Sequence, residues 1–201
     1  MSDANKRPAR YGPANPANVT SGSLRSVSAK LRDATPDDVA LIARLHTESW
    51  RTAYDAILSP DFLADGIEAD RLRTWSERFA APNPAQRVTV GLLGEQSMGF
   101  VCTFLDEDPQ WGALVDNLHV VPAAKGKGLG ARLLRSAAAW VSQTRPGQGL
   151  HLWVYEANAP AAAFYDRMGG EAVERALHDN PGGGGAPAIR YAWPDPRRMR
   201  S

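Results

Sequence analysis

Apolar positions along this chain alternate between the helical and the strand period, in blocks long enough to predict an α/β fold. Val39, Ile42, Ala43, His46, Ser49 and Trp50 recur at helical spacing and give one helix a continuous inner face. Thr35-Pro36-Asp37-Asp38 opens that helix with a capping threonine, a proline where the first N–H would lack a partner, and acids at the positive helix end. Val27 to Arg32 precedes it as a first strand, and a second helix is expected over Glu68 to Phe79. Arg87 to Leu93, Met98 to Leu105 and Leu114 to Val121 read as three strands, joined by the turn chemistries of Gly94 to Ser97 and Asp106 to Gln110. Gly128 to Ser142 carries Leu129, Leu133, Leu134, Ala137, Trp140 and Val141 on one helical face. Leu150 to Tyr155 is a further strand, and Ala159 to Met168 is a short helix stopped by Gly169-Gly170. Two strands near Glu171 to Leu177 and Ala188 to Trp193 complete the order, which describes a mixed sheet covered by helices.

Composition sets the limits of this domain. Residues 1–26 hold almost no large apolar side chains and are expected to form a disordered tail, while 194–201, with Arg197, Arg198 and Arg200, is expected to be a flexible basic tail. One folded domain over 27–193 remains, with a mobile loop expected at Pro181 to Gly185. Apolar residues make up 43% and charged residues 22%, which fits a soluble globular protein and excludes a wholly disordered or fibrous one. A formal charge of +1 gives no basic excess, so neither nucleic acid nor a membrane is expected as a partner. No apolar run has membrane-spanning length and no signal segment opens the chain, so a cytoplasmic location is expected. Cys102 is the single cysteine, which excludes an internal disulfide, and its apolar surroundings in Gly99 to Leu105 assign it to packing. The histidines and Cys102 show no ligand spacing, so no metal is expected.

The densest chemical signal is Lys125-Gly126-Lys127-Gly128-Leu129-Gly130, set between a strand and a helix. Alternate glycines remove the side chains that would hold an anion away, and the outward N–H groups add to the positive end of the helix to make a pyrophosphate site. A phosphate-binding loop of the Walker type needs Ser or Thr after Gly-Lys, and Gly128 stands there instead. A dinucleotide fingerprint can be read as Gly126-x-Gly128-x-x-Ala131, with Glu156 as its ribose acid, but the turn follows a strand meander rather than opening repeated βαβ units.

Two motifs resemble the GCN5-related N-acetyltransferase (GNAT) family. Asp116-Asn-Leu-His-Val-Val-Pro-Ala-Ala-Lys-Gly-Lys-Gly-Leu-Gly-Ala-Arg-Leu-Leu134 is similar to its acetyl-CoA pyrophosphate loop and preceding strand, with Lys125 where Arg or Gln is usual. Leu152 to Gly170 is similar to its late strand and helix, with Asn158 and Tyr165 at the family's spacing and Gly169-Gly170 in place of Gly-Phe. Glu48 to Pro60 more weakly resembles the acceptor-side helix and loop of small-molecule members. The resemblance implies a central mixed, mostly antiparallel sheet of six to seven strands flanked by about four helices, and an N-acetyltransferase using acetyl-CoA and no metal.

By the same resemblance, the backbone of Leu118, His119 and Val120 would pair with the pantetheine arm. Lys125, Gly126, Lys127, Gly128, Leu129, Gly130 and Ala131 would hold the pyrophosphate. Asn158 would contact the cofactor arm or cap its helix, and Tyr165 would protonate the departing thiolate. Phe164 is expected in the core, through its contact with Met168, and Tyr165 in the cleft. Glu48, Asp116, His119 and Glu156 are candidate bases for the ammonium proton, or water relays it. Strand alternation would put Asp116 and Leu118 on one face and His119 on the other. His46 is expected to be a packing residue, and Trp50, Tyr54 and Trp111 are candidate walls of the acceptor pocket. The acceptor is a small-molecule or peptide amine of open identity, and a homodimer is left open. Two alternatives stand beside this reading: a nicotinamide-nucleotide enzyme using the same turn, and a catalytically silent acetyl-CoA-binding relative.

Overall fold

Strand β1 (Ala29–Asp33) ends at the start signal of the first helix. The Thr35 N–H donates to the Asp38 carboxylate at 2.9 Å, and Arg32 holds the same carboxylate with two bonds of 2.6 and 2.7 Å. That pairing tightens Pro36–Asp38 into a 3₁₀ turn, so α1 (Val39–Ala53) begins three residues later than Pro36. The computed structural model describes residues 29–53, 60–179 and 185–200. The expected N-terminal tail, Tyr54 and residues 181–184 of the glycine loop lie outside them.

A π turn over Phe62–Gly66 leads into α2 (Ile67–Ala80). Strands β2 (Gln86–Leu93), β3 (Gln96–Asp108) and β4 (Gly112–Val120) form the expected meander. β3 runs beyond the expected Leu105 because Asp108 itself makes the turn, its carboxylate accepting from the N–H groups of Gln110 and Trp111 at 2.8 and 2.9 Å. Then follow α3 (Leu129–Thr144), β5 (Leu150–Tyr155), α4 (Ala159–Arg167), β6 (Glu171–Asp179) and β7 (Gly185–Trp193). The last hairpin is longer than its apolar run suggested, with pairing continuing to Asp179 and Gly185.

Seven strands form one mixed sheet in the order β1-β2-β3-β4-β5-β7-β6. Every neighbouring pair is antiparallel except β4 and β5. The α3 helix covers one face with Leu129, Leu133, Leu134, Ala137, Ala138 and Val141, all buried. On the other face α1 and α2 bury Ile42, Leu45, Ile67 and Trp75. Each such large side chain stabilises the domain by about 1.5–3 kcal/mol through burial alone. Among the described residues no helix is long and apolar enough to cross a membrane.

The C-terminal stretch differs from the expected flexible tail. Pro196 is buried, Met199 packs on the core, and the Arg200 N–H donates to the Met168 carbonyl at 3.1 Å. Two apolar anchors set among the arginines account for this: they lay the segment along α3, where Arg135 donates to the Arg200 carbonyl at 3.3 Å.

Candidate functional site

The parallel join of β4 to β5 is short. Only Ala113 with Leu150 and Leu114 with His151 are paired, and beyond them the strands part. A cleft of about 430 Å³ opens in the gap, bounded by β4, β5, the glycine turn, α4 and the end of α1. From Val115 onward the β5-side edge of β4 has no strand beside it, so its backbone groups on that edge are available to a ligand that lies along the strand.

One residue too many in β4 shapes this edge. Val115 pairs with Thr103 and Asn117 with Cys102, which leaves Asp116 as a β-bulge. The bulge turns Asp116 to the side of Asn117, where the Arg78 guanidinium of α2 reaches both, at 2.6 and 3.2 Å. Strict alternation therefore fails here, and Asp116 lies on the α1 and α2 side together with His119 instead of opposite it.

The glycine turn has the conformation its composition suggested. Gly126 and Gly128 adopt φ of 74° and 77°, a region that side chains disfavour, and a Cβ at either would point into open space. Gly128 stands at the N-terminus of α3, so unpaired N–H groups and the positive helix end face the cleft. Lys125, Gly126, Gly128, Leu129, Gly130 and Ala131 line the cleft; Lys127 is not among its lining residues. A pyrophosphate fits this cradle, which offers backbone donors, a helix terminus and the Lys125 ammonium.

At the inner end, Leu118, His119 and Val120 line the cleft from β4. His119 is buried, stacks on His46 at 4.4 Å, and its Nδ1 lies 3.1 Å from the Ser49 hydroxyl of α1. Burial pushes its imidazole down to about 3, aided by the Arg71 and Lys125 charges, so the ring is neutral at ordinary pH. His46 is the packing residue expected: its Nδ1 accepts from the Trp75 indole N–H at 3.1 Å, and burial, with the charges of His119, Arg71 and Arg78, holds it well below the usual imidazole range. Cys102 behind the bulge is buried, and burial raises its thiol far above the ordinary value.

On α4, the Asn158 side chain accepts from the Ala161 N–H at 3.3 Å and also lines the cleft, so capping and a ligand-facing position coexist. Phe164 and Tyr165 both line it, against the expected division between core and cleft. Tyr165 is the more buried of the two, because its ring packs among those of β7, 5.6 Å from Tyr191 and 6.2 Å from Trp193.

The acids sort differently from expectation. Asp116 lines the cleft but is tied to Arg78. Glu156 pairs with Arg175 at 2.9 Å, and Glu48 lies outside the lining, 4.0 Å from Arg44. Trp50 packs under Arg71, at 4.5 Å, and edge-on to His46, at 4.7 Å, so it backs the site rather than lining it. Trp111 sits at the β3 to β4 turn, away from the cleft.

Sequence reasoning missed Ser49, Arg78, Trp153 and Arg167. Ser49 lies on the inner face of α1, where a hydroxyl among apolar neighbours is the hint that the sequence offers. Trp153 lines the cleft from β5, with Arg190 4.6 Å over its ring and His178 4.2 Å away. No local pattern marks Arg78 or Arg167 among the chain's many arginines.

The model of the acetyltransferase (GNAT) family matches residues 43–170. A probable N-acetyltransferase of Mycobacterium tuberculosis is 27% identical over 148 residues, covering 72% of this chain and 80% of the relative. Streptothricin acetyltransferase of Streptomyces lavendulae is 34% identical over 86 residues, covering 41% of this chain and 44% of that protein. Among solved structures, the PaiA N-acetyltransferase of Thermoplasma acidophilum in complex with coenzyme A superposes with a TM-score of 0.62 at 16% identity, covering 83% of this chain and 99% of that one.

Proposed function

The chain belongs to the GNAT acetyltransferase family and is an acetyl-CoA-dependent acyltransferase; from that premise we propose that it acetylates a primary amine directly, with both substrates bound in the cleft between β4 and β5. The dinucleotide-enzyme alternative falls with the family assignment. One observation carries the proposal: the unpaired β4 edge and the glycine turn meet in a single continuous cleft. A pantetheine arm laid along that edge would take the place of a strand, while the turn N–H groups and Lys125 hold the pyrophosphate.

In the transfer, a bond forms from the amine nitrogen to the acetyl carbon, the carbon–sulfur bond breaks, and the electron pair leaves with sulfur. The exposed β4 edge offers N–H donors to the oxygen that gains negative charge; such a donor is worth roughly 3–4 kcal/mol in acyl transfer. Tyr165, on the cleft wall, would give the leaving sulfur its proton. The ammonium proton leaves through water: Asp116 and Glu156 are ion-paired, Glu48 is outside the lining, and His119 resists protonation. A water relay lets a base outside the cleft receive that proton.

Thermal-shift titration with acetyl-CoA, CoA and NAD tests the binding half, with stabilisation expected to rise with acetyl-CoA and CoA and not with NAD. Free thiol release in the presence of spermidine, a streptothricin and a short peptide with a free N-terminus tests the chemistry. Binding without thiol release from any of them would favour a silent relative.

A further inference from the structure

We infer, on the acetyltransferase reading above, that Ser49 and His119 form a positioning pair: the Ser49 hydroxyl donates a hydrogen bond to His119 Nδ1, and Ser49 Oγ in turn accepts a hydrogen bond from an N–H of the incoming amine. The two side chains come from elements 70 residues apart, meet at 3.1 Å, and both line the inner end of the cleft. Both are buried, so an idle hydroxyl and an idle ring nitrogen here would cost stability unless they satisfied each other.

Direction is what the pair supplies. A free serine hydroxyl can donate to an amine, and a donated proton would occupy the nitrogen lone pair needed for attack on the thioester. If the hydroxyl hydrogen is directed at Nδ1, only Oγ lone pairs face the cleft. An amine N–H then points at Ser49 and its lone pair is turned elsewhere, toward the acyl carbon. The geometry commits His119 to carrying its own proton on Nε2.

His119 is kept as an acceptor, not a base, by what surrounds it. His46 and Ser49 face it from α1, Arg71 from α2, Phe100 from β3, and Lys125 from the glycine turn. Arg71 and Lys125 are the charges that act on His119, and both oppose a third positive charge, while Asp116 on the same side of β4 is held by Arg78. His46 is fixed in turn by the Trp75 indole, so the ring stacked behind His119 cannot rotate freely without losing a buried bond.

The test uses the full chain and the fastest acceptor among spermidine, a streptothricin and a free-N-terminal peptide. Ser49→Ala and His119→Leu should each lower kcat/KM by about 10- to 100-fold, the worth of one directed hydrogen bond, and Ser49→Ala should leave acetyl-CoA affinity by thermal shift unchanged. His119→Asn, which can place an acceptor oxygen near the Nδ1 position but cannot titrate, should recover about tenfold of the His119→Leu loss without altering the pH profile. Nitrogen NMR of the labelled imidazole should show an unprotonated Nδ1 whose signal moves in Ser49→Ala. An Asn variant as impaired as Leu, together with loss of an acidic limb from the pH profile, would show His119 taking the proton and overturn the inference. So would full activity in Ser49→Ala, or a protonated Nδ1. Absence of acetyl-CoA binding in the unaltered protein would sink the underlying reading instead.

Discussion

Arg78 on α2 grips Asp116 on β4 at 2.6 Å, at the bulge that this residue makes in the strand forming the cleft edge. The same Arg78 nitrogen lies 3.2 Å from Asn117 and 3.7 Å from the Cys102 sulfur, so one side chain ties the bulged residue, its neighbour and the partner strand to the helix above. Arg78→Met should lower stability by about 1–3 kcal/mol, because a part-buried carboxylate loses a charge-assisted partner. Urea denaturation of Arg78→Met, Asp116→Asn and the double variant checks it; additive losses would mean that the pair is not coupled.

Gly128→Ala should separate fold from ligand. A Cβ there meets nothing within 4 Å, so the protein should fold, with a penalty of about 1–2 kcal/mol from the left-handed backbone. Acetyl-CoA affinity should fall further than that penalty explains, since the added methyl projects into the cradle. Thermal-shift titration of the variant against the parent reads both effects at once.

Tyr165→Phe should lower kcat by about 10²- to 10⁴-fold, the range of a general acid, while CoA and acetyl-CoA bind as before. The expected signature is a split between turnover and affinity in thiol-release and thermal-shift assays. A parallel loss of both would make Tyr165 a packing residue between Tyr191 and Phe164.

Acid should destabilise the protein earlier than its carboxylates alone would dictate. An unfolded imidazole takes its proton near pH 6.5, whereas His119 in the fold waits until about 3. The unfolded chain therefore binds more protons in between, so stability is complete above about pH 6.5 and falls toward pH 3 by up to about 1.4 kcal/mol per pH unit for each such group. His46, shifted in the same direction, adds to the slope. Urea midpoints at pH 7 and pH 5 should differ less in His119→Asn than in the parent.

Cys102 should resist alkylation in the native protein and react only on unfolding, because it is fully buried and its thiol is held protonated. Maleimide labelling followed by mass spectrometry, with and without urea, checks this. Rapid native labelling would mean that the sheet opens at its centre.

What could be read in advance was what depends on near neighbours. The glycine turn was legible because its conformation and its anion chemistry reside in the same few residues. The start of α1 was legible because Thr35 and Asp38 bond across a single turn. Ser49 and Arg78 were opaque, since each acquires meaning only from a partner 70 or 38 residues away. The Asp116 bulge was hidden for a related reason: an extra residue is defined by the strand opposite, and nothing in Val115-Asp116-Asn117 departs from an ordinary strand. Arginines hid the acids too, because the carboxylates among the candidate bases of the sequence are paired with Arg78, Arg175 and Arg44 in space.

The short join of β4 to β5 has a mechanical consequence. Only two residue pairs stitch the first four strands of the sheet to the last three, so the molecule carries a seam through its middle. A reactant that zips along the open stretch of that seam would finish the sheet, and hydrogen exchange at Leu118 to Val120 should slow when acetyl-CoA binds. On this view the donor would be a temporary structural member: the enzyme would be most completely folded at the moment it is ready to react, and would loosen along one line each time the spent thiol departs.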